Sequence, residues 1–316
     1  MTQKKNDYII PLAIIGMMFF IVGFALGINS YIVPLLQGAL NVSSGQSYLL
    51  LASTFAAFLI FSYPATALIT KVGYKKTMVL SFAIFALGFL LFVPSAKMQS
   101  LPLFMIASFI CGIGNTVLQA AINPYATYLG PIDTAARRIS IMGICNIIAW
   151  PVSPMFLAWL IGKNLDEMVL SDIIFPFYVL TAIFVLLGVL VWVSPLKEMA
   201  FGEQDEEAED ASEAEGKTSI FQFPHLILGA IALFMYVGVE TIAMASSVDY
   251  AASLSLPDPE QYAFIPSIGM ILGYIFGVIM IPKYLSQSAA LRLHSWIAIV
   301  GTLAVVLLPE TLSIRA

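Results

Sequence analysis

Charge is scarce in this chain, and so are the side chains that carry most enzyme chemistry. Only 10% of its 316 residues are charged, where a soluble domain averages about 25%. That scarcity excludes an ordinary water-soluble domain and leaves no basic surface for nucleic acid. There are two cysteines, Cys111 and Cys145, both inside apolar runs. They make neither a disulfide framework nor a metal motif, so they are expected to be buried, inert thiols. The two histidines, His225 and His294, stand where apolar segments begin, as interfacial residues do. No H-E-x-x-H, Gly-rich phosphate loop or G-x-S-x-G occurs, so no enzyme activity, metal or cofactor is expected.

What the chain does have is apolar length. Hydrophobic residues make up 60% of it, and mean hydropathy is +0.93. A helix needs about 20 mostly apolar residues to span a bilayer. Nine segments qualify: 8–36, 47–70, 77–96, 101–128, 139–162, 173–196, 221–250, 263–283 and 290–308. The expected fold class is therefore an all-α polytopic membrane protein, with the lipid bilayer as its solvent. The first segment is too long for a signal-peptide core of about 7–15 residues and reads as a span.

The acids are unevenly spread. Nine of the 19 lie between Glu198 and Glu215, a block too charged to fold alone. It divides the chain into a six-helix bundle (1–196), an acidic linker (197–218) and three further helices (219–316). With the amino terminus inside, eleven Lys and Arg fall on inner segments and three on outer ones. The positive-inside rule then places the amino terminus and the acidic linker in the cytoplasm. The halves also echo each other. "FFIVGF" opens the first and "LFMYVGV" the second; a basic turn follows Gly23 by 48 residues at Lys71 and Gly238 by 45 at Lys283. Parallel repeats of this kind build transporters from two halves. On that pattern the second bundle is truncated, nine helices of an expected twelve, and the chain is expected to be a fragment.

Polar residues inside spans are expensive and point to function. Asn115, Gln119 and Asn123 lie four apart, forming a stripe that drifts by about 40° per step. Amides donate and accept without charge, as sugar hydroxyls do, so the stripe suits a neutral polyol. The plain alternative is hydrogen bonding between helices. Pro124 is expected to bend or end that helix. In the fifth segment, Asn146 and Trp150 stand one turn apart, and an indole face can stack on a pyranose; packing is the alternative for Trp150. Asn29 and Gln37 are weaker candidates. Glu240 is the one acid at mid-span, where a charge costs about 3 kcal/mol on insertion scales. It is the candidate for hydroxyl binding or for coupling to a cation, with a structural role as the alternative. Asp249, nine residues on, is a second ion-coupling candidate.

"NPYATYLGP", "ISIMGICN", "SPL", "FPHLILG", "YVGVE" and "PKYLSQ" occur in this order over nearly the whole chain. In this the sequence resembles sugar transporters of the major facilitator superfamily, specifically the fucose–proton symporter family and its bacterial glucose/galactose transporters. The resemblance implies two six-helix bundles with a sugar site between them, and a small-molecule sugar and a coupling cation, H+ or Na+, as partners. It implies multi-pass residence in the cell inner membrane. Asn146 matches an asparagine that the family uses at its sugar site. There are departures. Ser30, after Asn29, and Gln119 stand where the fucose branch carries acids linked to proton coupling. "TKVGYKK" keeps Lys71, Gly73, Lys75 and Lys76 of the superfamily's loop signature, with Thr70 in place of its aspartate. The expected function is import of a neutral hexose, glucose- or galactose-like with fucose as a further candidate, by alternating access. A membrane sugar sensor and a polytopic membrane transferase are the alternatives; the second lacks the His and acid cluster it would require.

Overall fold

The computed structural model describes residues 8–163, 168–198, 222–253 and 264–307. Among them every regular element is helical. The order is α1 (Ile9–Leu40), α2 (Ser44–Val72), α3 (Tyr74–Lys97), α4 (Leu101–Tyr128), a 3-10 turn (Ile132–Thr134), α5 (Ala135–Ile161), α6 (Ile174–Val193), α7 (Pro224–Ser253), α8 (Phe264–Met280) and α9 (Gln287–Leu307). Each answers to one of the nine expected segments. Seven are long and apolar enough to cross a membrane; the described apolar stretches of α7 and α8, Pro224–Glu240 and Ile265–Met280, are shorter.

Local chemistry sets the ends. Ser43 accepts from the Gln46 backbone N–H while Gln46 accepts from that of Ser43, a reciprocal cap that starts α2. Gly73 takes a φ of 86° to turn α2 directly into α3, a conformation open to glycine at little cost. Gly162, at φ 71°, closes α5 through its N–H to Ala158 O. Of the two outcomes expected at Pro124, one is excluded. Pro124 does not end α4, which continues to Tyr128. Its missing N–H leaves only the Ala120 carbonyl without its usual partner, too little to stop a helix held on both sides by packing.

The chain forms two compact units, Met1–Glu203 and Gln204–Ala316. In the first, α3 is sandwiched by α4 and α6, α2 packs on α4, and α1 packs on α5. A ladder of phenylalanines from α3 meets α6: Phe92 stacks on Phe177 with centroids 4.7 Å apart, and Phe89 lies 4.8 Å from Phe184. Glycines let the other helices approach backbone to backbone. A Cβ at Gly112 would lie 2.6 Å from Thr54 O of α2, and one at Gly88 would lie 2.9 Å from Cys111 N of α4. One at Gly23 would collide with the Asn146 carbonyl of α5. The outward faces carry large exposed apolar residues, among them Leu59, Ile60, Leu186 and Val193, as lipid requires. Cys111 is buried, as expected, whereas Cys145 is only half-buried; both are free thiols.

Lys197 and Glu198, counted with the solvated linker on sequence, instead fold back onto the first unit. Glu198 Oε1 accepts from the Lys75 N–H at the start of α3, at 2.9 Å, and Lys197 O accepts from the Tyr125 hydroxyl at 3.0 Å. A carboxylate satisfies a free helix-start N–H and the positive end of the helix dipole, which draws it out of water. Residues 199–218 of the linker lie outside the described residues. Between α5 and α6, Lys163 Nζ reaches Asp172 at 2.8 Å and holds its carboxyl below the usual carboxylate range.

Gly112→Val is expected to force α2 from α4, lower the melting temperature in detergent, and cost roughly 1–3 kcal/mol. Gly229→Ala, at a position open within 4 Å, should leave the melting curve where it is. Equal behaviour of the two variants would refute the close-contact account.

Candidate transport site

The α4 stripe does not stay uniform. Asn115 is buried, Gln119 is half-buried and Asn123 is exposed within its unit. Gln119 Nε2 donates to Asn115 Oδ1 at 2.8 Å, so the first two amides orient each other along the helix. The drift expected from fourfold spacing carries the third off that face.

In α1, Asn29 is 2% exposed and joins a polar knot across three helices. Its Nδ2 donates to Thr54 Oγ1 of α2 at 3.3 Å, and Thr54 Oγ1 lies 2.6 Å from Ser108 Oγ of α4. Asn29 Oδ1 is buried without a hydrogen-bond donor among the described residues. The neighbouring Ser30 turns its hydroxyl onto Leu26 O of its own helix at 3.0 Å. Gln37 Nε2 donates to Ser47 Oγ at 2.8 Å, pinning the end of α1 to the start of α2.

In α5, Asn146 Nδ2 donates to Phe19 O of α1 at 3.0 Å, so this amide bonds helix to helix. Trp150 is half-buried one turn on. Pro154 deprives the Trp150 carbonyl of its usual donor, and Ser153 Oγ supplies one at 2.9 Å. Asn146 and Trp150 thus line the seam where α5 lies against Gly23 and Gly27 of α1.

In the second unit, Glu240 is half-buried on α7. Tyr236 stands one turn earlier on the same helix. The side chain of Asp249, farther along α7, lies outside the described residues. No metal-binding group of His, Cys, Asp or Glu forms among the described residues.

Sequence reasoning counted Arg138 only as a loop charge. The structure buries it, 5% exposed, against the end of α4. Its Nε donates to Ala126 O at 3.0 Å, Nη1 to Pro131 O at 2.9 Å and to Thr134 Oγ1 at 2.6 Å, and Nη2 to Thr127 O at 2.6 Å and to Gly130 O at 3.4 Å. A guanidinium fork at a helix C-terminus meets orphan carbonyls and the negative dipole end together. The signal was there in principle: an arginine ten residues past the end of α4, on the far side of a short turn.

Residues 15–314 match the Major Facilitator Superfamily. The chain belongs to this superfamily. It is 30% identical to the glucose/galactose transporter of Brucella abortus biovar 1 (strain 9-941) over 308 residues, covering 95% of this chain and 73% of that protein. It is 25% identical to the L-fucose-proton symporter of Escherichia coli (strain K12) over 267 residues, covering 78% of this chain and 61% of that one. Its fold is similar to the crystal structure of the superfamily transporter FucP in the outward conformation, with a TM-score of 0.79 at 22% identity, covering 98% of this chain and 80% of that one. Membership in this superfamily makes the protein a multi-pass membrane transporter and not an enzyme.

Arg138→Lys is expected to destabilise the protein in detergent by roughly 1.5–3 kcal/mol, since a point-charge ammonium cannot serve five acceptors. Arg137→Lys, at an exposed position, should be silent. A thermal shift assay on both variants decides whether Arg138 holds the α4–α5 turn.

Proposed function

We propose that the protein imports a neutral hexose, glucose- or galactose-like, across the bacterial cytoplasmic membrane by alternating access and couples the movement to a proton. The observation that carries the reading is identity of 30% across 95% of the chain to a protein named as a glucose/galactose transporter. The intramembrane chemistry agrees with it. Polar groups of the first unit's spans, Asn29, Asn115, Gln119, Asn123 and Asn146 with Trp150 beside them, are uncharged, and amides suit the mixed donors and acceptors of a polyol. A site of this kind takes a few oriented hydrogen bonds inside an otherwise apolar wall. Rocking of two bundles about such a site gives alternating access. The bias of eleven inner to three outer basic residues supports a cytoplasmic amino terminus and linker.

Coupling requires a group that changes charge during the cycle. Ser30 and Gln119 cannot do so, and each is hydrogen-bonded within its own helix. Glu240 remains, half-buried on α7 with Tyr236 one turn earlier on the same helix. Asp249 is the second candidate on the same helix. Relatives named as fucose-proton symporters favour a proton over Na+ as the coupling ion.

The test is counterflow and gradient-driven uptake of labelled glucose, galactose and fucose in proteoliposomes carrying the full-length polypeptide. Uptake of at least one hexose, stimulated by an inward proton gradient and not by Na+, is expected. Glu240→Gln should abolish accumulation above the external concentration. If the variant still accumulates sugar, Glu240 is not the coupling group; if no hexose is bound or moved, the sugar reading is wrong. Binding without counterflow would make the protein a sensor instead.

A further inference from the structure

Lysines gather at one end of the first unit's spans. Lys71 lies at the end of α2, Lys75 and Lys76 in the first turn of α3, and Lys197 just past α6. Hydrogen bonds hold these segments together: the Lys75 N–H donates to Glu198 Oε1 at 2.9 Å, and Lys75 Nζ donates to Ser194 O at 2.8 Å. Lys71, Lys76 and Lys197 are exposed, and among the described residues their ammonium groups make no hydrogen bond or ion pair. The first turn of a helix disfavours cations, because the dipole is positive there. Glu198 brings one negative charge to four lysines, and Thr70, beside Lys71, is neutral with its hydroxyl on Ala67 O. The corner therefore keeps positive charge that calls for a further anion.

An apolar face runs into the membrane from this corner. The helices α3 and α6 are antiparallel: Lys75 reaches Ser194, Phe85 lies 5.0 Å from Phe184, and Phe92 lies 4.7 Å from Phe177. One residue on from the contact positions Lys75, Phe82 and Phe89 of α3 stand Lys76, Ala83 and Leu90. One residue on from Phe184 and Gly188 of α6 stand Val185 and Val189, and Trp192 continues their row. All six are exposed. Each row is turned about 100° round its helix from the α3–α6 seam, and with the helices opposed both rows fall on the same side of it. From Lys76 to Leu90 the rise is about 21 Å, longer than the roughly 15 Å of one leaflet's hydrocarbon. Trp192 stands near the lysine end, where indoles meet headgroups.

We propose that this corner is a binding site for an anionic phospholipid. The headgroup phosphate meets Lys76 and Lys197 with Lys71 beside them, and an acyl chain lies along the α3–α6 face. A zwitterionic headgroup brings a cation that the lysines repel, so the lipid is selected by its net charge. Bound lipid covers the start of α3 and the exit of α6 together and stabilises the first unit by mass action. The inference does not depend on which solute the protein carries.

The experiment titrates phosphatidylglycerol, phosphatidylcholine or inorganic phosphate into the full-length polypeptide in non-ionic detergent. Retained lipid is read by native mass spectrometry, and the melting temperature is read alongside. Phosphatidylglycerol is expected to bind and to raise the melting temperature, less so at high salt, and the other two are expected to do neither. Lys76→Gln and Lys197→Gln should each weaken phosphatidylglycerol binding about fivefold, and the double variant roughly 30-fold. Lys76→Arg keeps the charge and should bind as the wild type does, as should Lys97→Gln at the other end of α3. If the double glutamine variant binds phosphatidylglycerol as tightly as the wild type, the site is overturned. Equal binding of phosphatidylcholine overturns selection by charge. Equal protection by inorganic phosphate makes the corner a site for a free anion and overturns the lipid.

Discussion

Helices in a bilayer gain nothing by hiding leucine from lipid, so they must hold together by contact closer than side chains allow. In the first unit that contact is backbone against backbone at a few glycines. Gly23 and Gly27 of α1 lie against the Asn146 and Trp150 carbonyls and Ser153 of α5, and Gly112 of α4 lies against Thr54 O of α2. The remaining polar geometry depends on this approach. Asn146 reaches Phe19 O across the α1–α5 seam, and the Asn29–Thr54–Ser108 knot closes across α1, α2 and α4. Each such bond is modest, about 0.6 kcal/mol on average between membrane helices. Together they fix the register in which the polar groups meet.

The same constraint sorts the polar residues into those whose hydrogen bonds build the unit and those with bonding capacity to spare. Ser30, Thr54, Ser108, Thr116 and Ser153 are bonded to backbone or to one another. Asn146 has committed one N–H to a neighbouring helix, and Asn115 and Gln119 share one bond between them. Asn29 Oδ1 has no donor among the described residues, although the residue is nearly fully buried. A structure built on glycine contacts thus keeps uncharged polar groups oriented in an apolar wall, which is what recognition of a neutral polyol demands.

The spans were legible in the sequence because the bilayer imposes their length and composition, and all nine reappear as helices. Which face each residue takes was less legible. Fourfold spacing correctly paired Asn115 with Gln119, but Asn123, by the same arithmetic, turns out to the exposed side. Proline carried less weight than expected at Pro124, because tertiary packing overrides the loss of one hydrogen bond. The role of Arg138 could not be read from spacing at all. Its partners are the carbonyls of an adjacent helix end, and only the folded chain brings these together.

Glu198 shows how such long-range contact can make good a local loss. The α2–α3 turn keeps Lys71, Gly73, Lys75 and Lys76, but Thr70 replaces an acid and turns its hydroxyl onto Ala67 O within α2. The start of α3 still presents free N–H groups and a positive dipole end beside three lysines. Glu198, arriving from beyond α6, supplies the negative charge from 123 residues away in sequence. Gly73 makes room for it, since a Cβ there would collide with the Glu198 carboxylate. Lys75 Nζ returns the contact by donating to Ser194 O at 2.8 Å, and Tyr125 holds Lys197 O from α4. The residues leaving α6 are therefore clasped to α3 and α4 before the acidic linker begins.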